Sequence, residues 1–276
     1  MRRMTVASPT AEGKAILFTA GGVRLALRLS QVREILAVDE RASEVLVRGE
    51  AIPALPVAVA LGLPATPARF ALVTESTPAS ALKVDAVHGI VDLSSTEVFQ
   101  LPARTLLPQP PPFQGALVSH GDVALELAVS TLGWVPIEPA LERGEPPPQL
   151  DFPTGRELLF TRAGRTYAVP IQLLARVLDA PRVFPVPLAP AAHRGVLYHE
   201  RAIHPVFDLA VFFGCAAGPD AGSTDKAHAV KQGHGGTALL VDAGGIAVAV
   251  LADRILHAGE QASGEVARPS WDLLFA

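Results

Sequence analysis

The chain repeats its own pattern, and this internal duplication constrains the fold more than any other feature of the sequence. The Leu-Phe-Thr sequence at residues 17–19 recurs at residues 159–161, and the alignment continues from there without a gap. Residues 50–54 (Glu-Ala-Ile-Pro-Ala) are matched in register by residues 202–206 (Ala-Ile-His-Pro-Val). A repeat of this kind indicates one supersecondary unit used twice. The sequence therefore predicts two related domains.

Short apolar runs with a period of two predict that both domains are built from β-strands. Directly after Gly21-Gly22, apolar residues alternate with Arg24, Ala26 and Arg28, which is typical of a hairpin with one wet face. Ser30 predicts a helical turn that carries Val32, Ile35 and Leu36, and Gly89 predicts a bend between two strands. The apolar sides of the repeated strands predict a core that includes Ile52, Leu55, Val84, Val87, Ile203, Val206 and Phe207. The predicted fold class is all-β.

A charged turn in the first copy is the clearest candidate contact point. Residues 43–62 indicate two short strands joined at Arg48-Gly49, with Glu50 directly after the turn. Gly49 can adopt backbone conformations that other residues avoid, and unpaired Arg48 and Glu50 are too costly to bury. The turn should therefore face water. The second copy carries Glu200-Arg201 at the same position.

Changes in composition divide the chain. Residues 1–14 indicate a flexible tail, 15–135 a first domain, 136–155 a proline-rich acidic linker, and 156–276 a second domain with a mobile loop at 216–236. The second domain carries an extended segment, residues 183–195, that the first domain lacks. It has no clear copy of the hairpin at residues 115–129 that closes the first. The sequence therefore leaves open whether the second domain closes its barrel alone or borrows a strand from the first.

Charge and cysteine content exclude several classes of partner. The formal net charge is −4, so the chain lacks the basic excess that binding to nucleic acid requires. The single cysteine, Cys215, excludes an intrachain disulfide bond. No window approaches the roughly 18 apolar residues of a membrane span. We expect a cytoplasmic protein with no direct membrane insertion.

The sequence contains no convincing pattern for a catalytic site or a metal site. Of the 8 histidines most lie in the second half, but their spacing fits no standard zinc ligand set. Ser119, His120 and Asp122 have the residue types of a hydrolase triad, yet neighbours on one tight turn should point apart. The sequence predicts no catalytic residue, no metal site and no cofactor. A histidine-dependent metal sensor remains the alternative from another class.

Four motifs follow one another in a fixed order in the first domain. They are a glycine-centred hairpin, Val32-Arg33-Glu34-Ile35, Arg48-Gly49 before Ile52-Pro53, and Val84-Asp85-Ala86-Val87. Together they resemble the CheW family of chemotaxis coupling proteins. Residues 157–258 are similar again, through Pro185-Val186-Pro187 and Asp208-Leu209. The chain thus resembles a divergent tandem of two CheW-like domains.

The resemblance implies a fold, a function and partners. Each domain should consist of two small five-stranded SH3-like barrels. The chain should be a non-catalytic adaptor that couples the cytoplasmic tip of a chemoreceptor to the regulatory domain of a CheA-type histidine kinase, located at membrane-associated receptor arrays. The candidate partner-binding residues are Arg48, Gly49, Glu50, Glu200 and Arg201. The alternative is a scaffold of the same fold that regulates an array or serves an unrelated assembly.

The two copies depart from the family pattern in opposite ways. The first keeps Arg48-Gly49 but has Pro56-Val57 where the family usually has Asp-Leu. The second keeps Asp208-Leu209 but has Glu200-Arg201 at the Arg-Gly site. Each copy has lost what the other kept, so we expect neither to bind as a standard coupling protein does.

Overall fold

The computed structural model describes residues 13–102, 111–132, 156–213, 236–243, 245–257, 264–269, 271 and 274. The chain forms two compact units. We call the described residues 13–101 and 111–132 the N-unit, and those from 156 onward the C-unit. The predicted linker lies outside the described residues, as do the predicted tail and loop except at their ends.

The N-unit is built almost entirely from short strands. In chain order the elements are β1 (Lys14–Ala20), β2 (Val23–Arg28), β3 (Val32–Ala37), β4 (Glu44–Val47), β5 (Glu50–Pro56), α1 (Val57–Ala60), β6 (Phe70–Thr74), β7 (Ala81–Val84), β8 (Ala86–Asp92), β9 (Glu97–Phe99), β10 (Phe113–Ser119) and β11 (Asp122–Leu127). They form two sheets, with strand orders β8-β1-β2-β11-β10-β9 and β3-β6-β7-β5-β4. Each sheet contains one parallel pair, β2 with β11 and β5 with β7.

The C-unit repeats this plan. Its elements are β12 (Glu157–Arg162), β13 (Arg165–Pro170), β14 (Leu174–Asp179), β15 (Val183–Phe184), β16 (His193–His199), β17 (Ala202–Phe207), α2 (Leu209–Phe212), β18 (Thr237–Ala243), β19 (Ile246–Ala252), β20 (Arg254–Ile255) and β21 (Val266–Ala267). The sheets have the orders β20-β12-β13-β21 and β14-β18-β19-β17-β16-β15. Two small sheets per unit confirm the predicted all-β class. Among the described residues the sheets have 6 and 5 strands in the N-unit and 4 and 6 in the C-unit, so they differ from the five-stranded barrels that the resemblance implied.

The alternating patterns place the apolar side chains inside the sheets. Within the first sheet of the N-unit, Ile16, Phe18, Leu25 and Leu27 are fully buried. The second sheet encloses a cluster of Val45, Val47, Ile52, Ala71, Val73 and Ala81. Of the predicted core residues, Ile52, Val84, Ile203, Val206 and Phe207 are buried, whereas Leu55 and Val87 are only half-buried.

The predicted helical turn after Ser30 is wrong. Only Leu29–Gln31 forms a turn of 3-10 helix, and the chain then continues as β3, which pairs antiparallel with β6. Val32 and Ile35 are β-branched residues that favour a strand, and β6 supplies the hydrogen-bond partners that a short local helix would lack. Long-range pairing therefore decides the conformation of this segment.

The predicted bend at Gly89 is a bulge in a continuous strand. The register between β1 and β8 shifts so that Leu17 faces Gly89 and Phe18 faces Val87. His88 is the extra residue, and Gly89 takes the positive φ of 137°. A glycine adopts this conformation without the steric cost of a Cβ atom.

Where the N-unit has its closing hairpin, the described part of the C-unit has a shorter strand. In the N-unit β11 lies parallel to β2, with Leu125 opposite Leu25. In the described part of the C-unit, the two-residue strand β21 occupies that position beside β13, with Ala267 opposite Tyr167. Beyond it, Trp271 and Leu274 are buried in the apolar core of the unit. The C-terminal segment thus fills space that a hairpin fills in the N-unit.

Candidate functional site

The strands β4 and β5 present the first candidate site, which we call the N-unit corner: Arg48, Gly49 and Glu50. Val47 pairs with Glu50 across a tight turn in which Arg48 has φ 51° and Gly49 has φ 87°. Positive φ at both central residues is typical of a type I′ turn, whose twist matches that of the flanking strands. A Cβ atom on Gly49 would meet nothing within 4 Å, so φ and not space selects glycine here. The predicted turn is present.

The charges of the N-unit corner lie in solvent. Arg48 is exposed and forms no ion pair with any residue that the structure describes. The carboxylate of Glu50 is 3.9 Å from the guanidinium of Arg33, and the Glu50 side chain is 66% exposed. Such an exposed pair contributes only about 0–1 kcal/mol to stability. The guanidinium of Arg48 is therefore available to another molecule.

An exposed apolar side chain and a mainly polar groove lie near this cation. Leu46, on β4, is 75% exposed. On the other side of β5, a groove of about 470 Å³ runs between Glu50–Pro53 and Thr74–Ala79, with Arg33 in its wall. An exposed arginine favours a protein contact site, because arginine is enriched among the residues that dominate binding energy.

The C-unit corner, Glu200 and Arg201, has the same backbone but different charges. Its two residues have φ 48° and 60°, so the turn is again left-handed. Glu200 lies 2.5 Å from the guanidinium of Arg176 and 3.7 Å from the imidazole of His199. The carboxylate of Glu200 is thus paired inside its own unit.

Two aspartates at equivalent positions hold the hairpin turns of the units. Asp85 accepts a hydrogen bond of 2.6 Å from the Thr66 hydroxyl, which in turn accepts one from the backbone N–H of Gly21. In the C-unit, Asp253 accepts directly from the backbone N–H of Ala163 at 2.8 Å. Both aspartates thus serve the fold of their units.

Asp208 is the centre of a buried ion-pair network in the C-unit. It accepts hydrogen bonds from Arg162 at 2.6 Å, from Arg194 at 3.0 Å and from the backbone N–H of Ala210 at 3.2 Å. Burial alone would raise the pKa of Asp208, but the hydrogen bonds and charges of the two arginines hold this pKa below its ordinary value. The hydrogen bond to Asp208 likewise raises the pKa of Arg162. Both groups remain charged at neutral pH and serve the fold.

The remaining polar candidates form no arrangement suited to chemistry. The Ser119 hydroxyl and the His120 imidazole lie 3.0 Å apart, closer than the sequence predicts, but both are on an exposed turn and the Asp122 carboxylate lies against Arg24. His193 is buried against Phe207. Within the described residues, no three or more His, Cys, Asp or Glu side chains are grouped as a metal site would require.

The structure places the predicted site residues in two separate corners, one in each unit. Arg48, Gly49 and Glu50 adjoin one another, as Glu200 and Arg201 do. The sequence reasoning missed Leu46 and Arg33, which flank the N-unit corner, because the exposed face of a strand is known only after its register. The alternation of Glu44, Val45, Leu46 and Val47 carried the signal for Leu46.

Comparisons with known proteins identify a family for both units. A family model described as the CheW-like domain matches residues 14–133 and again residues 157–265. Among solved structures, the scaffolding protein TtCheW from Thermoanaerobacter tengcongensis matches with 16% identity and a TM-score of 0.35, over 45% of this chain and 94% of that chain. A search of curated proteins found no match.

Proposed function

The chain belongs to the family of CheW-like domains, and from that membership we propose that it is a non-catalytic adaptor of a bacterial chemosensory system. Two segments of the chain match the family, so the adaptor carries two CheW-like domains. Its partners are the regulatory domain of a CheA-type histidine kinase and the cytoplasmic tip of a chemoreceptor. No helix in the described part of the chain is long and apolar enough to cross a membrane. The proposed location is the cytoplasm, at receptor arrays.

The N-unit corner carries the contact in this proposal. The observation behind it is the exposed guanidinium of Arg48, which has no ion pair among the described residues. A guanidinium can bind a carboxylate through two parallel hydrogen bonds, and arginine is enriched among residues that dominate binding energy. The type I′ turn places the Cα atom of Arg48 at the exposed tip of the hairpin. A carboxylate on the partner therefore binds Arg48 while apolar side chains cover Leu46.

The C-unit corner contributes less in this proposal. Glu200 has the opposite charge to Arg48, and Arg176 already pairs with it. A partner carboxylate that binds Arg48 would be repelled by Glu200. This difference favours an adaptor whose two domains have different partners, and it keeps regulation of an array as the second candidate function.

The test compares three alanine variants in binding to the kinase regulatory domain and to the receptor fragment from the same genome. Arg48→Ala should weaken binding to one of them by about 1–3 kcal/mol, and leave the melting temperature nearly unchanged, because the lost contact is intermolecular. Isothermal titration calorimetry and thermal unfolding measure the two quantities. Glu200→Ala should weaken binding less.

Arg69→Ala is the matched control. Arg69 is also an exposed cation of the N-unit, but it directly precedes β6, which is not adjacent to β4 in the sheet. Arg69→Ala therefore has the same net charge as Arg48→Ala and leaves the N-unit corner intact. Its binding should equal that of the wild type. Equal binding by Arg48→Ala, or a loss of several kcal/mol of stability in that variant, would contradict the proposed role of the corner.

A further inference from the structure

The strand β4 is an edge of its sheet, and no described strand pairs with its outer side. Its inner side pairs with β5, from Glu44 opposite Pro53 to Val47 opposite Glu50. Val47 and Glu50 flank the turn, so in an antiparallel hairpin they exchange both hydrogen bonds and Leu46 directs its N–H and C=O outward, as Glu44 does. Unpaired backbone groups of this kind are a template for another strand.

The C-unit shows what covers the same edge. There β15 pairs antiparallel with β16, Val183 opposite Leu197 and Phe184 opposite Val196. Aligning the two corners makes Val196 the counterpart of Glu44. The segment that contains β15 has no equivalent in the N-unit sequence. The C-unit therefore has a strand, β15, along this edge, whereas no described strand lies along the corresponding edge of β4 in the N-unit.

The outer face of this hairpin is also exposed in the N-unit and largely buried in the C-unit. Glu44, Leu46, Ala51 and Pro53 form the outer face of the β4–β5 hairpin and all are exposed. Their counterparts in the C-unit are Val196, Tyr198, Ile203 and Pro205, of which Val196 is fully buried, Ile203 is 3% exposed and Tyr198 is half-buried. The N-unit thus leaves open both an edge and an adjoining face that the C-unit closes.

We propose that the outer edge of β4 binds an extended segment of a partner protein, which pairs antiparallel with Glu44–Val47 as β15 pairs with β16. Strand addition of this kind derives its affinity from backbone hydrogen bonds and its specificity from alternate side chains. It requires no kinase or receptor, so it goes beyond the proposed adaptor function and can hold if that function fails.

The side chains of β4 define the chemistry of this partner segment. Val45 is part of the apolar core of the N-unit, so the partner residue opposite Val45 is aliphatic. Val183 has the same relation to Leu197 in the C-unit. Leu46 and Glu44 point outward, so an apolar residue lies opposite Leu46 and a basic one opposite Glu44. The pairing ends at Glu44, because the preceding residue is Ser43. Its counterpart is Gly195, where the Phe184 carbonyl approaches so closely that a Cβ atom would clash with it.

A peptide derived from the chain's own covering strand is the probe. It comprises residues 181–187 with blocked ends and the changes R182L and F184K, which place leucine opposite Leu46 and lysine opposite Glu44. Titration should give saturable binding with a Kd at or below about 1 mM. The amide NMR signals of Glu44 and Leu46 should shift most, and their hydrogen exchange should slow.

Two variants of Glu44 separate backbone pairing from charge. Glu44→Pro removes the outward N–H, which an edge strand tolerates, and should weaken binding at least tenfold. Glu44→Ala keeps that N–H and should lose less than half as much binding energy. Denaturant unfolding of the Glu44→Pro variant checks that the N-unit remains folded. Methylation of the peptide nitrogen at the lysine should reproduce the loss with unaltered protein.

Several results would overturn the proposal. They are the absence of shifts at Glu44–Val47 up to about 2 mM peptide, equal weakening by both variants of Glu44, or equal binding of the methylated peptide. If β4 instead pairs with β4 of a second copy, sedimentation would show a dimer that Glu44→Pro dissociates, and a partner segment would be the wrong occupant.

Discussion

At the scale of single residues, His193 is the side chain most sensitive to solution conditions. Its side chain is buried, and its ring lies edge-on to Phe207 with 5.3 Å between the ring centroids. Neither ring nitrogen has a hydrogen-bond partner among the described residues. Burial disfavours the charged imidazolium and lowers the pKa of His193 to about 4. Burial also lowers the pKa of His204. The folded C-unit therefore requires neutral imidazoles.

The pH dependence of stability follows from this shift. The folded-state pKa of His193 lies below its unfolded value of 6.5, so the unfolded state binds the proton more tightly. Stability should therefore be fully present above pH 6.5, where both states are neutral, and the free energy of unfolding should fall between pH 6.5 and pH 4 by about 3 kcal/mol. Denaturant unfolding across this range measures the slope.

A variant that lacks this imidazole provides the control for that slope. His193→Phe should reduce the fall in the free energy of unfolding between pH 6.5 and pH 4, and His204 should account for part of the fall that remains. An identical slope in His193→Phe and wild type would show that other groups titrate there.

At the scale of elements, the residues that precede the two short helices explain how the copies diverged. In the C-unit Asp208 caps α2 by accepting from the N–H of Ala210 and also pairs with Arg162. In the N-unit Pro56 occupies the same position before α1 and makes no cap. Ala20 stands where the C-unit has Arg162, so an aspartate there would lack its cation. The N-unit thus has neither the aspartate nor the arginine of this ion pair, because Pro56 and Ala20 occupy their positions.

Asp208→Ala tests the weight of this network. The change removes the helix cap and the hydrogen bonds from Arg162 to Asp208, but Arg162 keeps its pair with Asp253 at 2.7 Å, so the free energy of unfolding should fall by about 2–4 kcal/mol. Pro56→Ala is the matched control in the N-unit and should change stability by less than about 1 kcal/mol, because no cap is lost. Denaturant unfolding monitored by circular dichroism compares them. A loss below about 1 kcal/mol for Asp208→Ala would mean that the network adds little.

At the scale of the whole molecule, the two units solve the same packing problem with different parts. The N-unit closes its first sheet with the hairpin β10–β11, where the buried Glu126 is paired with Arg28. The C-unit has the short β21 and two apolar residues, Trp271 and Leu274, which are 4% and 1% exposed. These residues share a cluster with Phe207. The end of the described chain is thus part of a core.

Truncation of this core measures its contribution. Phe207→Ala and Trp271→Ala should each lower the free energy of unfolding by about 3–5 kcal/mol, because both side chains are almost fully buried. Leu46→Ala removes a large apolar side chain that is 75% exposed and should change stability by less than about 0.5 kcal/mol. Chemical denaturation compares the three variants. Wild-type stability in Trp271→Ala would show that the C-terminal segment is dispensable for the core.

The sequence by itself determined the duplication, the strand class and the two corners. These depend on local signals: the alternation around Val45, the turn chemistry of Arg48-Gly49 and the repeated order of motifs.

Only the tertiary structure decided how the strands pair and what each edge lacks. Val32–Ala37 is a strand because β6 lies beside it, and a local pattern cannot register a partner that is distant in sequence. The ion pairs of Asp208, the burial of Trp271 and the open edge of β4 likewise depend on contacts between distant segments. The same hairpin plan yields a covered edge in the C-unit and an exposed edge in the N-unit, because β15 pairs with β16 and no described strand pairs with the outer side of β4.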